Sequence, residues 1–499
     1  MIRAWPAGVK EVGRRLATLA SLAALCLTSA AAHAQAPAKP PAVQPAFALP
    51  SIDTKWTGDL DGMIKRRLIR ILAPYSKTFY FVDRGVQRGL IYEISEIFER
   101  DLNKRLKTGN VRVHVAIIPM AQNDFIPALR DGRGDIAMGN LTVTPERLKL
   151  VDFSDPAMKG VAEIVVTGPG APSIGAVEDL AGQEVYIRQS LSFLESLETL
   201  NAALARAGKP KVRIRLAPEN LETEDILEMV NAGIVKVTIA DDYIAAFWRQ
   251  IFTKITLHPD VAVRTGAAIA WMIRKDSPQL KAELNAGLAR YPESSWQRTE
   301  LLARYLKNTR WAKAATSSEE LPKFERTVAL FKKYGERYDI DYLVLMAQGY
   351  QESELDQNAR SPVGAIGIMQ VMPATGRDMR VGDITQIEPN IHAGVKFLRA
   401  MMNEYYANEP MDQLNRGLFT FAAYNAGPGR IRGLRKLAAQ RGLDPNVWFN
   451  NVELMAAEKI GRETVTYVSN IYKYYLAYQM LAEERAERER ARQAAREVK

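Results

Sequence analysis

The chain has 499 residues, 47% of them apolar and 25% charged, which excludes a disordered polymer and leaves room for two to four globular domains. Its formal charge is +10, and beyond the first 34 residues 63 basic residues face 56 acidic ones. That excess favours polyanionic partners such as nucleic acid, anionic lipid or a carboxylate-bearing wall polymer; no nucleic-acid motif with interleaved aromatics is present, so no nucleic-acid partner is expected and most of the charge reads as solvated surface.

Residues 1–34 read as an export signal. Arg14 and Arg15 precede an apolar run from Leu16 to Thr28, and Ala32-His33-Ala34 has the small-x-small form of a cleavage site. The run is too short to span a bilayer comfortably. Cys26, the only cysteine, lies inside it behind Leu25 rather than a small residue, so a lipid anchor is not expected. An exported, periplasmic protein follows, and any hold on the inner face of the outer membrane would be peripheral. The mature chain would have no disulfide. His114, His258 and His392 are too dispersed for a zinc site, and neither metal nor cofactor is expected.

A Pro/Ala-rich linker is expected over 35–54. From 55 to 296, strand-like and helix-like segments alternate. Leu68–Leu72 and Val111–Val115 have strand character, Tyr92–Leu106 has helical spacing, and a second unit starts near Asp179-Leu180-Ala181-Gly182. This predicts a two-lobed α/β domain. A helical linker is expected over 297–322, a mostly α domain over 323–481, and a solvated charged tail over 482–499.

Residues 60–295 resemble the amino-acid-binding class of periplasmic solute-binding proteins, of the family 3 type. The resemblance is carried by Gly134-Asp135-Ile136-Ala137, by Asn140-Leu141-Thr142-Val143-Thr144-Pro145-Glu146-Arg147 and by Val151-Asp152-Phe153-Ser154. It implies that Arg147 clamps a ligand carboxylate, which suits the guanidinium fork. Asn140 and Thr142 belong to the same motif, and Ser192 is a further carboxylate-side contact. Asp241, in Ala240-Asp241-Asp242-Tyr243, would take the ligand's ammonium. The competing readings are a salt bridge for Arg147 and a helix N-cap for Asp241. Pro74–Phe81 departs from common amino-acid binders and leaves the ligand's side chain unread.

Further on, Tyr342–Ala347 has the content of a buried helix, with Glu352 near its C-terminal end. Apolar surroundings and the negative helix end both raise a carboxyl pKa. A Glu kept protonated near neutral pH can act as a general acid. Glu352-Ser353, Ser361, Gly367-Ile368-Met369-Gln370-Val371-Met372-Pro373, Ala423-Tyr424-Asn425-Ala426-Gly427 and Glu463-Thr464-Val465-Thr466-Tyr467 follow in order. Over about 325–480 this succession resembles the lytic transglycosylase family, which has a lysozyme-like fold and cleaves peptidoglycan glycan strands. The family's usual Gly-Leu-Met-Gln stands here as Gly-Ile-Met-Gln.

The resemblance implies that Glu352 is the sole catalytic acid and base, and that the product ends in 1,6-anhydro-muramic acid. It also implies that Ser361 and Gln370 orient Glu352 or the sugar. Tyr424 would stabilise the reacting ring, and Met369 and Met372 would line the groove. Asn425, Glu463 and Tyr467 complete the substrate-binding set, Glu463 and Tyr467 having a cap or core role as their alternative. Gly364 and Gly367 would let backbone approach a sugar. The fusion resembles the membrane-bound lytic murein transglycosylase F type. A wall-derived muropeptide or amino acid bound between the lobes is expected to change access to Glu352. A goose-type-lysozyme-like hydrolase and a non-catalytic sensor are the alternative functions.

Overall fold

The computed structural model describes residues 55–83, 86–219, 221–309, 321–475, 478, 479 and 490. The expected export signal, the Pro/Ala-rich linker and all of the charged tail except Arg490 lie outside the described residues. Among the described residues no helix is long and apolar enough to cross a membrane.

The first lobe is built on a five-stranded sheet. Its order is His114–Pro119, Leu68–Ala73, Ile136–Ala137, Met272–Ile273, Asp152–Phe153. The first three strands are parallel, and Met272–Ile273 runs antiparallel to both its neighbours. His114–Pro119 is buried throughout and Leu68–Ala73 nearly so, as expected of parallel strands covered on both faces. Arg70 and His114 are the polar exceptions, and Arg70 is paired with buried Asp135 at 3.1 Å. Asp135 also takes Arg66 and Arg274, so its buried charge is answered from three sides.

The second lobe centres on Met158–Thr167, which pairs antiparallel with Val237–Asp241 on one side and Thr256–Ile269 on the other. Glu184–Arg188 and Arg213–Ala217 form a parallel pair beside them. The two-lobed α/β expectation matches this architecture. The expected linker begins as a helix, Trp296–Leu306, fastened to the first lobe: Tyr305 and Arg304 both donate to Glu93 at 2.6 Å.

The C-terminal part is helical. Leu321–Tyr338, Tyr342–Ser353, Ile387–Tyr405, Gln413–Ala426, Pro428–Gln440 and a helix over 462–475 enclose a core with Phe331, Val344, Leu398, Phe421 and Trp448 fully buried. The two parts are docked. Arg67 reaches Glu453, with Nη2 donating to Oε1 at 2.7 Å, and Asn110 donates to the Ala457 carbonyl at 3.1 Å. Lys473, on the 462–475 helix, donates to Glu99 of the first lobe at 2.9 Å. Burial pushes the Glu99 carboxyl upward, but Lys473 and the Val115 N–H more than offset it, so its pKa lies below the ordinary value.

Candidate active site

Glu352 sits in the last turn of Tyr342–Ser353. Asp341 caps the start by accepting from the Leu343 N–H at 2.9 Å, and Val344 to Tyr350 are buried. The helix stops because Glu354 and Leu355 both take the left-handed conformation, with φ of 54° and 64°. Two such non-glycine residues in succession cost roughly 1–3 kcal/mol each. Ser353 holds the stop in place by donating to the Ile368 carbonyl at 3.0 Å. Glu352 is thereby left at the helix end, facing a cleft of about 410 Å³ lined by Gln351, Asn425, Arg462, Glu463, Thr466 and Tyr467. That volume falls in the range of small-ligand clefts, about 300–1,000 Å³.

Burial raises the Glu352 pKa from 4.5 to about 7. The one opposing influence resolved is Tyr467, whose hydroxyl donates to Oε1 at 2.5 Å. Gln348, one helical turn before Glu352 and fully buried, donates to the Tyr467 hydroxyl at 3.4 Å. Residues four apart share a helix face, so Gln348 and Glu352 meet Tyr467 from the same side. The carboxyl is therefore protonated in a large fraction of molecules near neutral pH and aimed into a cleft. This is the state a general acid requires.

The Gly-rich turn supports the site from below. Asn390 accepts from the Met369 N–H at 2.9 Å and donates to the Ile366 and Ile384 carbonyls at 2.8 and 2.9 Å. Gly367 has φ of 75°, and a Cβ there would lie 2.5 Å from the Gln357 amide and 2.6 Å from that of Asn390. Its glycine serves this packing rather than a close approach to sugar, since the residue is buried. Gly364, exposed with φ of 92°, remains open to solvent.

Several expected roles change. Met369 is fully buried and does not line the groove; its Cβ lies where only the absence of a side chain at Gly394 makes room. Met372 is 42% exposed and available. The Ser361 hydroxyl accepts from the Ala365 N–H at 2.9 Å within its own turn, and among the described residues it forms no bond to Glu352. Gln370 likewise folds back, donating to the Gly367 carbonyl at 2.8 Å. Tyr424 donates to the Met369 carbonyl at 2.8 Å, tying the Gln413–Ala426 helix to the turn. Asn425 accepts from Thr464 at 2.7 Å at the cleft wall. Glu463 is exposed on the same wall. No motif singled out Gln348 or Arg462, and Thr466 stood within the Glu463–Tyr467 motif without a role of its own.

The five receptor residues converge between the lobes. Arg147 donates to the Thr142 carbonyl and the Ser190 carbonyl, both at 2.7 Å, so its amino groups bridge the lobes through backbone rather than through a salt bridge. Burial lowers its pKa. The Ser192 hydroxyl donates to Glu163 at 2.5 Å and lies in hydrogen-bond contact with the Thr142 hydroxyl at 3.1 Å. Asp241 occupies the N-cap position of Asp242–Arg249 but makes no side-chain cap bond; it accepts from Asn140 instead. Its Oδ1 is buried and, among the described residues, has no hydrogen-bond partner, and burial raises its pKa to about 7. Glu163, fully buried and 3.2 Å from Arg264, is a further member. An acid within Val161-Ala162-Glu163-Ile164-Val165 was its only trace in the sequence.

A model described as Transglycosylase SLT domain matches residues 329–446, and one described as Bacterial extracellular solute-binding proteins, family 3, matches 71–308. The first match ends before Tyr467. Relatives called "Membrane-bound lytic murein transglycosylase F" come from Desulfosudis oleivorans, 25% identical over 82% of this chain and 89% of that protein, and from Ectopseudomonas mendocina, 26% identical over 82% and 83%. One from Shewanella halifaxensis is 28% identical over 80% and 83%. Among solved structures, an ancestral arginine-binding protein bound to arginine is 21% identical over 48% of this chain and 97% of that chain, with a TM-score of 0.39. Both domain models match in this order and like-named relatives align with about 82% of the chain, so the chain is similar to the membrane-bound lytic murein transglycosylase F type, a family 3 solute-binding domain followed by a transglycosylase SLT domain.

Proposed function

We propose that this enzyme cleaves the β-1,4 bond between N-acetylmuramic acid and N-acetylglucosamine in peptidoglycan, leaving a 1,6-anhydro end. The observation that carries the reading is Glu352, a half-buried carboxyl with its pKa raised to about 7 that lines a cleft. Its proton goes to the glycosidic oxygen as the bond from muramic C1 breaks. The resulting carboxylate takes the proton of the muramic C6 hydroxyl, whose oxygen closes on C1. No water is consumed, and Glu352 ends protonated, as it began.

A second reading has one observation in its favour: Glu463 lines the same cleft. A hydrolase needs a second carboxylate to activate water or form an intermediate, and Glu463 is the available one. The product separates the two. Mass spectrometry of fragments from purified sacculi, with Glu352→Gln as control, gives anhydro ends for the lytic reaction and hydrated ends for the hydrolase. Anhydro ends persisting in Glu352→Gln would remove Glu352 from the role.

The first domain is proposed to bind a wall-derived peptide or amino acid between its lobes. The buried unpartnered Asp241 oxygen and the adjacent Arg147 supply an acceptor and a cation for a zwitterion. Gating of the cleft by that ligand requires different affinities for two states. It fails if a saturating muropeptide leaves the cleavage rate unchanged. The proposed location is periplasmic, after export, with peripheral contact to the outer membrane; extraction of the mature protein by high salt is the expected behaviour.

A further inference from the structure

Two cavities adjoin along the 462–475 helix. One is the cleft at Glu352. The other, about 190 Å³, is polar and walled by both domains, with Ser95, Glu96 and Arg112 on one side and Asn470 and Lys473 on the other. Arg462 and Thr466 line both. The acids of the second cavity are already matched. Glu99 lies 2.9 Å from Lys473 and 3.6 Å from Arg112, and Glu96 lies 3.8 Å from Lys473. Arg462 is different: it is exposed and, among the described residues, forms no ion pair, not even with its neighbour Glu463. It is the surplus cation of a wall otherwise balanced in charge.

The proposed substrate is a chain of neutral sugar rings carrying peptide stems with free carboxylates. Of these parts only the stem calls for a cation. A guanidinium at the junction of a sugar cleft and a polar cavity matches a carboxylate on a substituent of the sugar being cut. We propose that Arg462 and the cavity shared by the two domains form a subsite for the carboxylate-bearing peptide stem of the strand cleaved at Glu352; this rests on the wall-cleaving reading. The Thr466 hydroxyl and Asn470 amide stand on the same helix to meet peptide N–H and C=O groups. The solute-binding domain then contributes directly to the substrate groove, through the Glu96 and Arg112 wall, besides any ligand it holds between its lobes.

The test compares two substrates, stem-bearing glycan strands with free stem carboxylates and the same strands with those carboxylates converted to amides. The readout is the ratio of kcat/KM on the first to that on the second, for the full mature chain. Wild type is expected to favour the strands with free carboxylates. Arg462→Ala is expected to lower the ratio at least tenfold, mainly through KM on those strands, and Arg462→Lys to recover part of it. A ratio unchanged in Arg462→Ala overturns the subsite while leaving the wall-cleaving reading intact. If wild type cuts neither substrate, the wall-cleaving reading fails and the subsite with it.

Discussion

The hydroxyl of Tyr467 donates to Oε1 of Glu352 at 2.5 Å, across 115 residues of sequence. This bond acts on the acid in two ways. It fixes the carboxyl's direction, and it favours the ionised form against the burial that raises the pKa to about 7.

The pH profile should register both effects. With protonated Glu352 starting the reaction, as proposed, kcat/KM should fall about tenfold per pH unit above a midpoint near 7. In Tyr467→Phe the midpoint should move to higher pH, since the group stabilising the carboxylate is gone. Activity on the plateau should fall roughly 10- to 150-fold, equivalent to the 1.5–3 kcal/mol of a hydrogen bond to a charged group. A plateau loss without a shifted midpoint would mean that Tyr467 positions the carboxyl without tuning it.

Stability carries the same signature. The folded pKa of Glu352 lies above the ordinary value of 4.5. Between 4.5 and about 7 the native state therefore holds more protons than the unfolded one, and stability falls as pH rises through that window. Glu352→Gln removes this loss. Its unfolding free energy should match wild type near pH 4 and exceed it by up to about 3 kcal/mol near pH 8. Denaturant melts at both pH values decide the matter, and a constant difference would contradict the raised pKa.

The two methionines of the Gly-rich turn should separate by assay. Met369 is fully buried, so Met369→Ala should destabilise the protein by about 2–5 kcal/mol. Met372 is 42% exposed, and Met372→Ala should stay within about 0.5 kcal/mol of wild-type stability. A rise in KM confined to Met372→Ala would assign the groove contact to it alone.

One contact between the two domains is a buried ion pair. Lys473→Met would take from Glu99 its nearest cation, leaving Arg112 at 3.6 Å, and is expected to cost about 3 kcal/mol. Glu99→Gln added to it should recover part of that loss. Thermal unfolding of the two variants tests this; equal melting temperatures would show that the ion pair is not what stabilises the contact.

The sequence by itself determined the order of the two domains and marked Glu352 as the candidate acid. Parallel strands buried on both faces read as largely apolar runs, as Leu68–Ala73 does apart from Arg70, and one carboxyl after an apolar helix is a local pattern. Glu352, Tyr467, Arg147 and Asp241 were legible because each lies in a motif of adjacent residues. Only the tertiary structure decided which motif residues reach the cleft. Ser361, Gln370 and Met369 sit within the same short turn, yet their side chains point into it, because backbone carbonyls and N–H groups there need partners and Gly394 leaves a space that Met369 fills. Arg462, Gln348 and Glu163 gained their places from packing between segments far apart in the chain. Charge balance across the shared cavity is likewise a property of the docked domains, since Glu99 and Lys473 are 374 residues apart.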